Sequence, residues 1–102
     1  MKKTITLLEA INHALDHALK ADDNVVLLGQ DIGKNGGVFR ATEGLQSTYG
    51  ETRVIDMPLA ENLIAGSAVG MATQGLIPVA EFQFMGFIYP ALDQIINHAS
   101  RM

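Results

Sequence analysis

A stripe of apolar residues at three- and four-residue steps gives way, within a few positions, to a short unbroken apolar run, and this change of period recurs along the chain. Leu7, Leu8, Ile11, Ala14, Leu15, Ala18 and Leu19 fall on one helical face, with Glu9, Asn12, Asp16 and Lys20 expected to face water. Thr6 followed three residues later by Glu9 is the spacing of a helix start, and Asp22-Asp23-Asn24 ends the pattern. Val25 to Leu28 is then apolar throughout, as in a strand buried on both faces of a parallel sheet. Arg53 to Asp56 and Ile77 to Phe84 read as two further strands, and Leu59 to Gln74 and Pro90 to Arg101 as helices. Gly75 suits a left-handed helix stop, Pro90 a first helical turn, and Leu92, Ile95, Ile96 and Ala99 form the last apolar stripe. The alternation of helices and strands predicts an α/β fold: a parallel sheet covered by helices on both faces.

Composition narrows the partners. With 48% apolar and 18% charged residues, 102 positions suffice for one hydrophobic core. The net charge of -4, with few and scattered Lys and Arg, predicts no nucleic acid and no membrane as partner. No apolar run approaches the ~20 residues of a spanning helix. The absence of cysteine excludes disulfides and thiolate metal sites, and the first residues lack the pattern of a secretory leader, so a cytoplasmic location is expected.

Several chemistry-bearing groups have ordinary explanations. His13 and His17, four apart, lie on the polar side of their helix with no third ligand at useful spacing, so no metal site is assigned. His98 has no acid or nucleophile placed beside it by the sequence. The Gly33-Lys34-Asn35-Gly36-Gly37 loop matches neither nucleotide-phosphate fingerprint and reads as a tight turn after a strand. Glu81 reads as structural, and Phe82, Phe84 and Phe87 as core. The Leu59–Gln74 segment is different, because Ala60, Ala65, Gly66, Ser67, Ala68, Gly70 and Ala72 lower helix propensity unless another backbone approaches closely. That helix is expected to be almost wholly buried, and Glu61 enters it in the first turn. Two readings of Glu61 stand: a carboxyl carried into a dry site and used there, or an acid accepting the free N–H groups of its own helix start.

The runs Gly36-Gly37-Val38-Phe39-Arg40-Ala41-Thr42-Glu43-Gly44-Leu45, Arg53-Val54-Ile55-Asp56-Met57-Pro58-Leu59-Ala60-Glu61 and Glu81-Phe82-Gln83-Phe84, with Asp93-Gln94-Ile95 after them, resemble the beta subunit of thiamine-diphosphate-dependent 2-oxo acid dehydrogenase first components, pyruvate dehydrogenase type. The resemblance implies that residues 1–102 are part of a transketolase-like pyrimidine-binding domain, incomplete and without the carboxy-terminal transketolase-type domain. It also implies that Glu61, the last residue of Pro-Leu-Ala-Glu, bonds a ring nitrogen of the cofactor's aminopyrimidine and is the catalytic residue. Leu59 would touch the ring edge and Phe87 its face. Diphosphate and magnesium would be held by an alpha subunit. A second beta subunit and a lipoyl-bearing acyltransferase core would complete the partners of an oxidative decarboxylation of pyruvate. Gly29-Gln30-Asp31 departs from the Gly-Glu-Asp of many relatives, and Ala65 stands where a glycine is often found. The alternatives are branched-chain or acetoin-cleaving relatives, transketolase-like sugar enzymes, and a non-catalytic flavodoxin-like binding module.

Overall fold

The computed structural model describes residues 4–101, and their architecture is α/β. Helix α1 (Leu7–Ala21) leads into β1 (Val25–Gln30), followed by α2 (Leu45–Tyr49), β2 (Val54–Met57), α3 (Glu61–Thr73) and β3 (Ile77–Glu81). Short irregular helical segments follow: Met85–Ala91 and Ala99–Arg101 with tight 3₁₀ turns, and Gln94–His98 with wide turns. All strands are parallel, in the order β2-β1-β3.

Strand β1 is central, and its continuous apolar composition follows from that place. Val25, Val26, Leu27 and Leu28 are all almost fully buried. On one side, Leu19 of α1 joins Val25, Leu27, Ile32, Leu45 and Val54 in the main core, with Leu15, Ala18 and Tyr49 packed on it. On the other side, α3 packs on β3 and β1 and contributes buried Ile64 and Ala65. Among the described residues, no helix is long and apolar enough to cross a membrane.

Local signals hold where local geometry decides them. The Thr6 hydroxyl accepts the Glu9 N–H at 3.1 Å, opening α1. Asp22 caps its other end and accepts the Asn24 N–H through its side chain at 2.8 Å. Gly75 has φ +91°, the left-handed geometry that ends α3. Arg53 then ties the first layers together: its Nη2 donates to the carbonyls of Leu19, Asp22 and Val25, and its guanidinium lies over the Tyr49 ring. Free carbonyls at the end of α1 are thus satisfied by a cation, which the helix dipole favours.

Other expectations are corrected. Only the second half of the α1 stripe is covered, because the sheet does not extend beneath Leu7, Leu8 and Ile11, which remain exposed. Asn12 and Asp16 do not simply face water. The Asn12 side chain donates to the carbonyls of Ala41 and Glu43, and Asp16 accepts the Tyr49 hydroxyl at 2.7 Å, a bond that raises the tyrosine pKa.

Helix α3 begins at Glu61, since Ala60 has extended φ and no side chain with which to cap. Strand β3 stops at Glu81, where its partner β1 is also ending: Gly29 is the register partner of Glu81. Pro90 lies inside a 3₁₀ segment instead of opening a regular helix. Helix α3 itself is not wholly buried. Beyond Ile64 and Ala65 it stays partly or fully open, with Leu63 49% exposed, because these residues supply no layer outside it.

Candidate functional site

In open parallel sheets, ligands sit beyond the carboxyl ends of the strands. That end of this sheet carries the β1–α2 loop, the turn from β2 into α3, and the segment that follows β3. Pro58, Leu59 and Ala60 make the β2–α3 turn, which places Glu61 at the first position of α3. Glu61 is half-buried, so the dry surroundings expected for it are not provided by this chain. Among the described residues its carboxylate takes part in no hydrogen bond or ion pair, and the helix start has no side-chain cap. A carboxylate there is favoured by the positive end of α3, yet it is not consumed in capping.

Leu59 is 67% exposed and Phe87 46% exposed. Phe87 lies in the 3₁₀ segment that packs against α3, so the elements bearing Glu61 and Phe87 are in contact. Phe87 is not core, as its residue type alone suggested. It stands edge-to-face with Phe84 at 5.4 Å between centroids, and Phe84 stands edge-to-face with Phe39 at the same separation. The result is an aromatic row, open to solvent, running from the β1–α2 loop to the segment after β3. An open carboxylate at a helix start and an open apolar wall suit a flat heteroaromatic ring with hydrogen-bonding edge atoms, provided that something else closes over it.

Glu81, the last residue of β3, is a further carboxyl at that end. Among the described residues Glu81 Oε2 is buried with no hydrogen-bond partner, and burial pushes its carboxyl above the usual carboxylate range. It lines an apolar groove of about 190 Å³ with Ile11, Leu15, Leu27, Ile32 and Val79. A larger cleft, about 470 Å³, lies between α3 and the last helical turns, lined by Ala68, Val69, Ala72, Thr73 and Ala99. His98 does have an acid near it: Asp93, 3.9 Å away, with both side chains largely exposed, a pair worth little. Among the described residues, no group of three or more His, Cys, Asp or Glu is placed to hold a metal ion.

Sequence reasoning left out two contributors. Asp56 accepts the N–H groups of Gly33 and Lys34, and Phe39 joins the aromatic row. Both partners are distant in sequence, so the only available signal was that these residues lie inside recognisable runs.

Comparison with known proteins supplies the family of the fold. Residues 3–102 match the transketolase pyrimidine-binding domain family. The chain is 59% identical over 98 residues to the pyruvate dehydrogenase E1 component subunit beta of Acholeplasma laidlawii, which covers 96% of this chain and 30% of that protein. It is 55% identical over 101 residues to the corresponding subunit of Mycoplasma genitalium, covering 99% and 31%. Identity to the 2-oxoisovalerate dehydrogenase subunit beta of Pseudomonas aeruginosa is 52% over 99 residues, covering 97% and 28%. The chain therefore spans 28% to 31% of the length of these relatives.

Proposed function

Because the chain belongs to the transketolase pyrimidine-binding domain family, we propose that it is the pyrimidine-holding part of a pyruvate dehydrogenase E1 beta subunit. The observation that carries this is Glu61, presented at the start of α3 with its carboxylate uncommitted, on an element packed against the segment that bears Phe87. In this reading Glu61 is the catalytic residue and holds a proton at a ring nitrogen of thiamine diphosphate. Leu59 meets the ring edge and Phe87 its face. When bound, the cofactor supplies the carbon nucleophile for the 2-oxo acid and accepts the electron pair left as carbon dioxide departs. This chain's residues orient the ring, keep water from one of its faces and control one proton.

The open side of the site fits a division of labour. Diphosphate and magnesium go to an alpha subunit, a second beta subunit packs on the uncovered helix, and the acyl product passes to a lipoyl-bearing acyltransferase core, in the cytoplasm. A branched 2-oxo acid is the second reading, favoured by the 52% identity to the Pseudomonas subunit. Turnover of pyruvate against 3-methyl-2-oxobutanoate by the assembled enzyme separates the two.

The test of the central claim is Glu61→Gln in the complete enzyme with its partner. Folding and cofactor capture should persist while turnover falls by about two to four powers of ten, the usual cost of removing a positioned proton-transfer group. Near-normal turnover refutes the assignment.

A further inference from the structure

We propose that the loop of residues 31–44 is a rigid strut that holds the Glu61 turn and the Phe87 wall in one geometry, with Asp56 and Phe39 as the positioning residues at its two anchors. The inference rests on the reading of Glu61 and Phe87 as pyrimidine contacts and extends it to residues that touch no cofactor.

The first anchor is on β2. Asp56 Oδ1 accepts the Gly33 N–H at 2.7 Å and Oδ2 the Lys34 N–H at 3.3 Å. The first is short and charge-assisted, about twice as strong as a neutral bond. Gly33 is confined there. A Cβ on it would lie 2.2 Å from Gln46 Nε2 and 2.5 Å from Asp56 Oδ2, and Gln46 is itself engaged, donating to the Val54 carbonyl at 2.9 Å. Asp56 is the penultimate residue of β2, so whatever fixes it fixes the origin of the Pro58-Leu59-Ala60 turn that delivers Glu61.

The second anchor is Phe39, whose ring stands on Phe84 and through it on Phe87. Between the anchors the loop is braced by its own bonds and by α1. Gly37 N–H donates to the Asp31 carbonyl at 2.8 Å, and Thr42 N–H to the Gly36 carbonyl at 3.1 Å. The buried Thr42 hydroxyl donates to the Ile32 carbonyl at 2.7 Å, and the Arg40 guanidinium to the Asn35 carbonyl. Asn12 of α1 holds the carbonyls of Ala41 and Glu43. Asp31 and Arg40 sit at φ +59° and +66°, backbone angles that non-glycine residues adopt only when their surroundings over-determine them. A segment bonded in this way transmits position. A small misplacement of a reacting group is costly, and an unsupported wall binds less well.

The experiment uses the complete enzyme assembled with its partner and reads two quantities, turnover at saturating cofactor and the dissociation constant for thiamine diphosphate. Asp56→Ala should lower turnover about tenfold, more than it changes affinity. Asp56→Asn, which keeps an acceptor for Gly33, should recover most of it. Phe39→Ala should weaken cofactor binding about fivefold, more than it lowers turnover, and Phe39→Tyr, which keeps the ring contact, should restore it. The double variant Asp56→Ala/Phe39→Ala should lose less than the product of the single losses, since one strut joins both anchors. If Asp56→Ala does not assemble, Asp56→Ser, too short to reach both N–H groups, should show the same turnover loss.

Single variants within twofold of the parent in both quantities overturn the strut, as do losses that track melting temperature without rescue by Asn or Tyr. Glu61→Gln made alongside separates the two levels. If it abolishes turnover while the strut variants are silent, only the strut falls. If it is itself near normal, the reading of the site falls and the strut with it.

Discussion

Residues 4–57 and residues 58–101 satisfy themselves in different ways. The first part closes on its own core: Leu19, Val25, Leu27, Ile32, Leu45 and Val54 are buried together, and Arg53, Asn12, Thr42 and Tyr49 spend their polar atoms on neighbouring layers. At 46% exposure or more the first part leaves Leu7, Val38 and Phe39, whereas the second leaves Leu59, Leu63, Ile77, Phe84, Met85, Phe87, Tyr89 and Ile96, and its helical tail is irregular. Yet Glu61 and Phe87, on which the proposed chemistry depends, belong to the second part. The contrast teaches that the first part is a platform with its own core, while the part that carries the proposed site leaves an apolar surface open. A large apolar surface of this kind marks a place where another surface docks, and relatives about three times as long have the chain to supply one.

The contrast is open to direct attack. Leu19→Ala, at a fully buried site of the platform, should cost about 2–5 kcal/mol in chemical denaturation. A loss below 1 kcal/mol would mean that the platform core is not as closed as described. Arg53→Lys comes next, at about 1–3 kcal/mol, since an ammonium cannot serve the carbonyls of Leu19, Asp22 and Val25 with one planar fork. Equal melting of the parent and the lysine variant would remove Arg53 from the account.

A smaller effect is expected at Glu81, on the edge strand of the open half. Its folded pKa is raised above 4.5 by burial, so the folded chain holds a proton that the unfolded chain releases. The corresponding stability is fully present below about pH 4, near the unfolded value, and is lost as pH rises through the folded pKa. Glu81→Gln should therefore flatten that decline and raise the melting temperature at pH 7, by less than about 1 kcal/mol in free energy because the group is half open to water. An unchanged pH profile in the variant contradicts the buried, unpartnered oxygen. The smallest effect is at Leu63. Replacement by Ala in the chain alone should fall within about 0.5 kcal/mol of the parent, as for other exposed positions. A loss as large as that at Leu19 would show that α3 is covered even here, and would end the contrast between the two halves.

Part of this could be read without coordinates, wherever a residue's neighbours in sequence set its environment. The Thr6–Glu9 start, the stop at Asp22-Asp23-Asn24, the left-handed Gly75 and the alternation of periods are of that kind, and so was the recognisable run ending in Glu61. The roles of Asn12 and Asp16 were not, because their partners lie 29 to 33 residues away and helical periodicity says only which way a side chain points. The same limit hid Asp56 and Phe39.

The chain's own order of residues dictates the α/β alternation and the burial of Val25–Leu28, because period and propensity are properties of adjacent positions. It also places a carboxyl in the first turn of the small-residue helix. Three-dimensional packing settles the strand order β2-β1-β3, the bare first turns of α1, the open outer surface of α3 and the aromatic row from Phe39 to Phe87. These depend on contacts between segments far apart in the chain, whose pairing periodicity does not encode.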